Sequence, residues 1–221
     1  MSEPHATAHA LPPDLLLQAY AQGMFPMAME SGELGWFSPD PRGIIPITGF
    51  HVPHGMKKLL REAPFEIRIN TAFSTVMRGC AQRDTTWIND AIVRSYVRLH
   101  ELGYAHSVEA WQGRRLAGGL YGVAIGGAFF GESMFSREAG ASKFALCALV
   151  QRLDARGFKL LDTQWVTEHL RMFGACEISR SEYLHRLRGA LKLDCSFADE
   201  DYKSSSGAPS PVTPRSLASM N

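Results

Sequence analysis

Two short segments of the sequence carry residue types that could perform acid–base or binding chemistry. The first, KLLDTQ at 159–164, is typical of a strand, and alternation along a strand places Asp162 and Gln164 on one face. An aspartate at a strand end can act as a base or fix the charge of a neighbouring amine. Capping the next helix is a commoner use of such an aspartate, so the residue type leaves both roles open.

The second segment, FFGESMFS at 129–136, places Glu132 inside an apolar, strand-like run. Burying an unpaired carboxylate is costly, so a glutamate beside Phe130 and Met134 indicates an apolar pocket with one acidic end. Such a pocket suits a ligand that combines an apolar side chain with an amino group. An edge-strand glutamate that points at water would explain the pattern equally well.

Other motifs limit the chemistry. The sequence has no P-loop, no H-E-x-x-H zinc motif, no G-x-S-x-G nucleophile motif and no coenzyme A loop of the acetyltransferase kind. The eight histidines show no ligand spacing, so we expect no metal site. Trp36 and Trp87 lie in irregular stretches, where aromatic side chains can stack a nucleobase but more often seal a core.

Composition favours a globular protein without a membrane span. The 221 residues are 45% hydrophobic and carry a formal net charge of +1, so any contact with nucleic acid must use local patches. The longest uncharged run, residues 116–130, is shorter than the roughly 20 residues of a membrane helix. Four cysteines without a C-x-x-C pair, and an N-terminus without a signal-peptide pattern, favour a cytoplasmic location.

Strand-like and helix-like patterns are mixed along the chain, which predicts an α+β fold with a mixed, mostly antiparallel sheet. Pro64 follows a basic helical segment and marks our predicted domain boundary. We therefore expect a small N-terminal domain over 1–62, a second domain over 63–202 and a disordered, Ser/Pro-rich tail over 203–221. Pro46 predicts that the strand at 44–47 lies at a sheet edge.

Taken together and in order, several segments resemble the bacterial leucyl/phenylalanyl-tRNA–protein transferases. The resemblance spans about residues 15 to 195 and rests on GMFPM, WFSPDPRGIIP, TWI, GGLYG, FGESMFS, ASKFAL, GFKLLDTQ and HLRMFGA. It implies transfer of leucine or phenylalanine from an aminoacyl-tRNA to a protein with an N-terminal Arg or Lys, which marks that protein for degradation. It implies no cofactor, because the tRNA ester is already activated, and a GNAT-like, acetyltransferase-type second domain.

The resemblance also implies site residues. Asp162 and Gln164 match a catalytic pair, in which Asp162 assists deprotonation of the attacking amine or polarises it through Gln164, and Glu132 would hold the α-ammonium of the donor amino acid. The amino-acid pocket would comprise Leu120, Phe129, Met134, Leu146 and Leu149. The terminal adenosine would meet Trp36 and Trp87, and the tRNA phosphates would meet Arg42, Lys57, Lys58 and Arg61.

One conflict and several departures follow from the match. Strict alternation separates Phe129 from Glu132 and Met134, although the family uses all three, so we expect a β-bulge near Gly131. Phe37 replaces a second tryptophan, and HLRMFGA replaces the usual HL-x-S-L-G-A. Leucines at 120 and 149 replace the methionine and phenylalanine often found there, which leaves the preference between leucine and phenylalanine open.

Two alternatives stay open at this point. One is a small-molecule N-acyltransferase that uses acyl-CoA, and the missing coenzyme A loop argues against it. The other is a non-enzymatic tRNA-binding module, for which Trp36 and Trp87 would be essential and the polar residues dispensable. For every one of these functions, a monomer is the default expectation.

Overall fold

The computed structural model describes residues 10–83 and 86–198. The predicted disordered tail at 203–221 lies outside these described residues. Within them, no helix combines the length and apolarity that crossing a membrane requires.

The first described elements are a helix and a small hairpin. Helix α1 (Pro13–Ala21) has proline in its first turn, where the missing N–H is tolerated, and it ends before Gly23, whose φ is 76°. The Gly/Pro/Ser-rich stretch that follows favours a loop by composition. It instead contains strands β1 (Phe25–Ala28) and β2 (Leu34–Phe37), which pair antiparallel as a separate two-stranded sheet.

Within the described residues, seven strands form the main sheet: β3 (Arg42–Ile45), β4 (Glu66–Ile69), β5 (Ala105–Gln112), β6 (Arg115–Ile125), β7 (Ala128–Ser136), β8 (Leu160–Gln164) and β9 (Cys176–Ile178). Their spatial order is β4-β5-β6-β7-β8-β3-β9. All neighbours are antiparallel except β7 and β8, which are parallel and connected through a helix, as parallel neighbours require. The expected α+β class with a mixed, mostly antiparallel sheet is therefore confirmed.

Helices cover both faces of this sheet and divide the core in two. Besides α1 they are α2 (His54–Glu62), α3 (Phe73–Ala81), α4 (Asp90–Glu101), α5 (Ala141–Ala155), α6 (Glu168–Arg171) and α7 (Arg180–Ala190). Side chains alternate across each strand, so Phe129 joins the cluster under α2 and α5, whereas Phe130 joins the cluster with α1, α3, α4 and α7. Asn89 and Ser179 cap α4 and α7 by accepting hydrogen bonds from backbone N–H groups.

The prediction that an edge strand occupies residues 44–47 is wrong. Strand β3 lies between β8 and β9 in the interior of the sheet order. It ends at Ile45, so Pro46 falls after the strand and its missing N–H breaks no ladder bond. A strand from the first 62 residues thus pairs within the main sheet. The domain boundary that we placed at residue 62 stays a prediction.

Candidate active site

A wedge opens in the sheet where β7 and β8 stop pairing. Their parallel register runs from Ala128 opposite Leu160 to Phe130 opposite Asp162. Beyond Phe130, β7 continues along β6, but Glu132 has no partner there: the register jumps from Gly131 opposite Gly122 to Ser133 opposite Tyr121. Glu132 is therefore the extra residue of a β-bulge, and the bulge that we expected near Gly131 is confirmed.

A cavity of about 770 Å³ lies in this wedge, a volume typical of small-molecule sites. Its lining combines apolar side chains from β6, β7, α5 and β8. Four of the five predicted pocket residues belong to it, together with a leucine that the sequence analysis missed: Leu120, Met134, Leu146, Leu149 and Leu161.

Phe129 is the exception among the predicted pocket residues. The bulge does bring it to the same face of the sheet as Met134, since both pack in the cluster under α5. The ring of Phe129 is fully buried, however, and lies 5.0 Å from the ring of Phe197, centroid to centroid. It is not among the residues that line the cavity, and it supports the pocket from within the core.

Glu132 lies at the cavity wall and is surrounded by uncharged hydrogen-bond donors. The hydroxyl of Tyr20 donates to Oε1 at 2.7 Å, the hydroxyl of Tyr96 approaches Oε2 at 3.3 Å, and the carboxamide of Gln164 approaches Oε1 at 3.3 Å. Burial raises the pKa of Glu132 to about 8; the two tyrosine hydrogen bonds oppose this shift and the nearby charge of Asp162 adds to it. The carboxyl group is thus poised to ionise when a cation arrives.

Tyr20 and Tyr96 are site residues that sequence reasoning missed. They belong to α1 and α4, and their hydroxyl groups hydrogen-bond each other as well as Glu132. Both side chains are fully buried, and the Tyr20 ring packs 4.8 Å from the Phe130 ring. A tyrosine on the buried face of a helix needs a partner for its hydroxyl, and that requirement was the available signal.

Asp162 lies behind the cavity wall and is fully buried. Its oxygens accept from Arg42 Nε at 2.9 Å and Arg42 Nη2 at 2.6 Å, from the Tyr183 hydroxyl at 2.8 Å and from the backbone N–H of Gln164 at 2.8 Å. A carboxylate offers about four acceptor positions, and all four are occupied. Asp162 is not among the residues that line the cavity, whereas Gln164 is.

The prediction that Arg42 meets tRNA phosphates is contradicted by its burial. Its side chain has no solvent exposure, and its third hydrogen bond goes to the carbonyl of Gly23 at 2.9 Å. The guanidinium also packs 4.4 Å from the Tyr183 ring centre. Burial alone would lower the pKa of Arg42, but the hydrogen bonds and charge of Asp162 outweigh it and raise that pKa.

Gln164 has an unusual backbone at the end of β8. Its φ is 59°, in the left-handed region that non-glycine residues rarely adopt. Opposite it in β3 lies Gly43, where a Cβ would sit 2.6 Å from the carbonyl carbon of Trp165. Only glycine leaves room there for the chain to turn.

The two tryptophans that we predicted to meet the terminal adenosine occupy different positions in the structure. Trp87 lines the cavity, joined by Phe25 and Met27 of β1 and by Trp165, which meets Phe25 edge-on at 5.3 Å. Trp36 lies on β2, 38% exposed and outside the lining.

The predicted basic residues of α2 are all exposed: Lys57, Lys58 and Arg61. Helix α2 packs beside α5, and Leu59 contacts Gly140, near the cavity-lining Arg137. The described residues contain no group of three or more His, Cys, Asp or Glu side chains arranged to hold a metal ion.

The fold and the cavity define a class: an α+β protein with a cavity in which apolar side chains adjoin a carboxylate, Glu132, and a carboxamide, Gln164. Comparison with known proteins makes it an aminoacyltransferase. The model of the leucyl/phenylalanyl-tRNA protein transferase family matches residues 44–188, and the model of that family's N-terminal domain matches residues 9–40. The chain belongs to this family.

Curated relatives support the assignment. The chain is 58% identical over 184 residues to the leucyl/phenylalanyl-tRNA–protein transferase of Paramagnetospirillum magneticum. The aligned region covers 80% of this chain and 88% of that protein. It is 53% identical over 188 residues to the enzyme of the same name from Gloeobacter violaceus, and the aligned region covers 85% of this chain and 97% of that protein.

Among solved structures, L-PGS from Bacillus licheniformis matches with 9% identity and a TM-score of 0.38, over 95% of this chain and 70% of that one.

Proposed function

We propose that this aminoacyltransferase moves leucine or phenylalanine from aminoacyl-tRNA to the N-terminal Arg or Lys of acceptor proteins and so marks them for degradation. The observation that carries the proposal is Glu132: a carboxyl group at the wall of a cavity that leucines and Met134 also line, with uncharged donors hydrogen-bonded to it. A leucyl or phenylalanyl ester offers one ammonium group and one apolar side chain, which is the complementary pair.

The donor would enter with its side chain among the cavity leucines and Met134, and its α-ammonium on Glu132. The adenosine at the tRNA end would lie beside the aromatic side chains of the cavity lining, near Trp87, with Trp36 as a more distant candidate. Exposed cations on α2 would meet acceptor-stem phosphates in a sequence-independent way. This arrangement assigns Leu120, Met134, Leu146 and Leu149 to side-chain selection.

In the transfer step the α-amine of the acceptor attacks the ester carbonyl carbon. A carbon–nitrogen bond forms, the carbon–oxygen bond of the ester breaks, and the tRNA leaves with its terminal hydroxyl. A peptide α-amine has a pKa of about 7.7–8.0, so an appreciable fraction is already neutral near pH 7 and positioning contributes more than proton transfer. Gln164 would orient the reacting groups, and the filled acceptor positions of Asp162 favour its action through Gln164 over direct deprotonation.

The deciding experiment incubates the protein with leucyl-tRNA or phenylalanyl-tRNA and a peptide that begins with Arg or Lys. We expect transfer to those peptides and none to matched peptides that begin with Asp or Glu. Acceptance of acyl-CoA in place of the tRNA would favour the small-molecule acyltransferase. Binding of tRNA without transfer would favour the non-enzymatic module and overturn the proposal.

The pH dependence of Asp162→Asn separates the two roles of Asp162. We expect a modest loss of the single-turnover rate with the wild-type pH profile, because positioning dominates. A loss of about 10²–10⁴-fold together with a changed pH profile would assign proton transfer to Asp162.

We further propose that the protein acts as a cytoplasmic monomer, with residues 1–62 as a small N-terminal domain and 63–202 as a GNAT-like catalytic domain. Its resident chemistry would need no cofactor, because the ester bond already supplies the free energy of transfer. Analytical ultracentrifugation of the purified chain tests the monomer, and limited proteolysis followed by mass spectrometry tests the boundary after residue 62.

A further inference from the structure

The cluster under the cavity wall is organised around Arg42. Its guanidinium makes a two-pronged ion pair with Asp162, donates to the Gly23 carbonyl, and lies between the rings of Phe25 and Tyr183 at 4.9 and 4.4 Å. Both partners of the ion pair are fully buried. Planar, two-pronged pairing of this kind fixes geometry as well as charge.

The orientation of Asp162 in turn determines the backbone of Gln164. One oxygen of Asp162 accepts from the N–H of Gln164 at 2.8 Å, and the next N–H, that of Trp165, turns back to the carbonyl of Thr163 at 2.6 Å. These bonds hold the left-handed turn at Gln164, whose φ is 59°. Such a conformation persists only where its surroundings determine it.

Gly43 completes the arrangement from the neighbouring strand. It pairs with Gln164, and β3 has a register shift between Gly43 and Ile44. A side chain at position 43 would collide with backbone atoms of Trp165 and Val166, at 2.6 and 2.9 Å. Arg42 and Gly43, adjacent in sequence, thus act on the same turn: one through Asp162, the other by leaving space.

We propose that Arg42 and Gly43 are positioning residues of the transfer reaction: together they fix the turn at the end of β8 and so aim the Gln164 carboxamide into the cavity beside Glu132. This inference rests on the proposed function for the reaction that Gln164 serves. It gives Arg42 an interior role in place of phosphate binding. It also makes the SPDPRG segment at 38–43 part of the catalytic apparatus, although neither Arg42 nor Gly43 lines the cavity.

A purely structural role predicts a different result from a positioning role. If the cluster only stabilised the fold, its variants would unfold more easily but transfer normally below their melting temperatures. If it positions Gln164, folded variants bind donor normally and transfer slowly, because small displacements of reacting groups are costly.

The test compares three variants with a stability control. Arg42→Lys keeps the charge but loses the two-pronged geometry, Gly43→Ala pushes on the Trp165 backbone without touching the ion pair, and Tyr183→Phe removes one hydrogen bond to Asp162. The control, Leu153→Ala, opens a space in the buried face of α5 away from the cavity lining.

We measure the dissociation constant of an amide-linked 3′-leucylamino-adenosine and the single-turnover transfer rate at saturating substrates. We expect Arg42→Lys and Gly43→Ala to lower the rate roughly 10–100-fold with little change in that dissociation constant, and Tyr183→Phe to lower it less. Leu153→Ala should transfer at the wild-type rate despite its lower melting temperature.

The inference is overturned if Gly43→Ala and Tyr183→Phe fold and transfer at the wild-type rate. Should Arg42→Lys not fold, those two variants decide the question, since they leave the ion pair in place. Failure of the proposed function looks different: the wild-type protein itself would transfer nothing from leucyl-tRNA to a peptide that begins with Arg.

Discussion

Two carboxylates of this site, Glu132 and Asp162, lie on neighbouring strands and have opposite surroundings. Glu132 lies at the cavity wall, and its hydrogen-bond donors among the described residues are all uncharged: two tyrosine hydroxyls and a carboxamide. Asp162 lies behind the wall and meets a guanidinium, with every acceptor position filled. The difference indicates division of labour, because a carboxylate without a resident cation is available to a ligand and one that has a cation is not.

Removing the guanidinium that pairs with Asp162 should destabilise the fold. Arg42→Met leaves Asp162 buried without its cation, so we expect the free energy of unfolding in urea to fall by about 3–5 kcal/mol. The double variant Arg42→Met/Asp162→Asn leaves no charge behind and should recover part of that loss.

The surface ion pair of Arg186 and Glu182, at 2.7 Å, provides the matched control. Arg186→Met should change stability by little, because exposed pairs contribute little. Equal losses for Arg42→Met and Arg186→Met would contradict the view that the interior pair is held tightly.

The affinity of the cavity for the donor should depend on the protonation of Glu132. With its pKa near 8, Glu132 is mostly protonated in the empty cavity at pH 6, and it must release a proton to pair with an ammonium. Donor affinity should therefore rise with pH from 6 towards 8, by up to about tenfold per unit, and level off where the donor amine itself loses its proton. Isothermal titration with the amide-linked leucyl-adenosine at several pH values measures this rise.

Glu132→Gln should abolish the rise and weaken binding at pH 8 by roughly 10–150-fold, the range of a charge-assisted hydrogen bond. Glu138, whose carboxylate pairs with Arg115 at 2.7 Å, serves as the comparison carboxylate. Glu138→Gln should keep the wild-type pH dependence, and a flat profile in the wild-type protein would show that Glu132 does not receive the ammonium.

Part of the contrast between Glu132 and Asp162 could be predicted from the sequence. Strict alternation in FFGESMFS separates residues that the family resemblance places in one pocket, and that conflict predicted the bulge that places Glu132 at the wall. The hairpin β5–β6 and helix α5 followed from their turn glycine and apolar period. A sequence pattern predicts an element well when the contacts that stabilise the element join residues close in sequence.

The rest could not be predicted because its contacts are long-range. Tyr20 lies 112 residues from Glu132, and Arg42 lies 120 residues from Asp162. An arginine in the proline-rich segment SPDPRG suggests an exposed, positively charged side chain. Only the position of β3 beside β8 buries it. Strand β9, with three residues, is too short to show any period.

The apolar wall of the cavity should set the preference between leucine and phenylalanine. Leu149 of α5 is 1% exposed and lines the cavity, so Leu149→Ala enlarges the space for the donor side chain. We expect the ratio of kcat/KM for phenylalanyl-tRNA over leucyl-tRNA to rise by about tenfold, since differences of a few carbons in an apolar pocket are worth 1–3 kcal/mol. Leu153→Ala, buried outside the lining, should leave the ratio unchanged.

The exposed cations of α2 should contribute to tRNA binding and not to the transfer step. Lys57, on the exposed face of α2, should add a screened, sequence-independent attraction to tRNA phosphates. Lys57→Ala should therefore raise the KM for leucyl-tRNA a few-fold and reduce the salt dependence of binding by about one phosphate contact, with the single-turnover rate unchanged. Lys192, exposed after α7, is the control, and Lys192→Ala should change neither quantity. If Lys57→Ala instead slowed the transfer step at saturation, the separation between outer charges that bind and inner charges that position would fail.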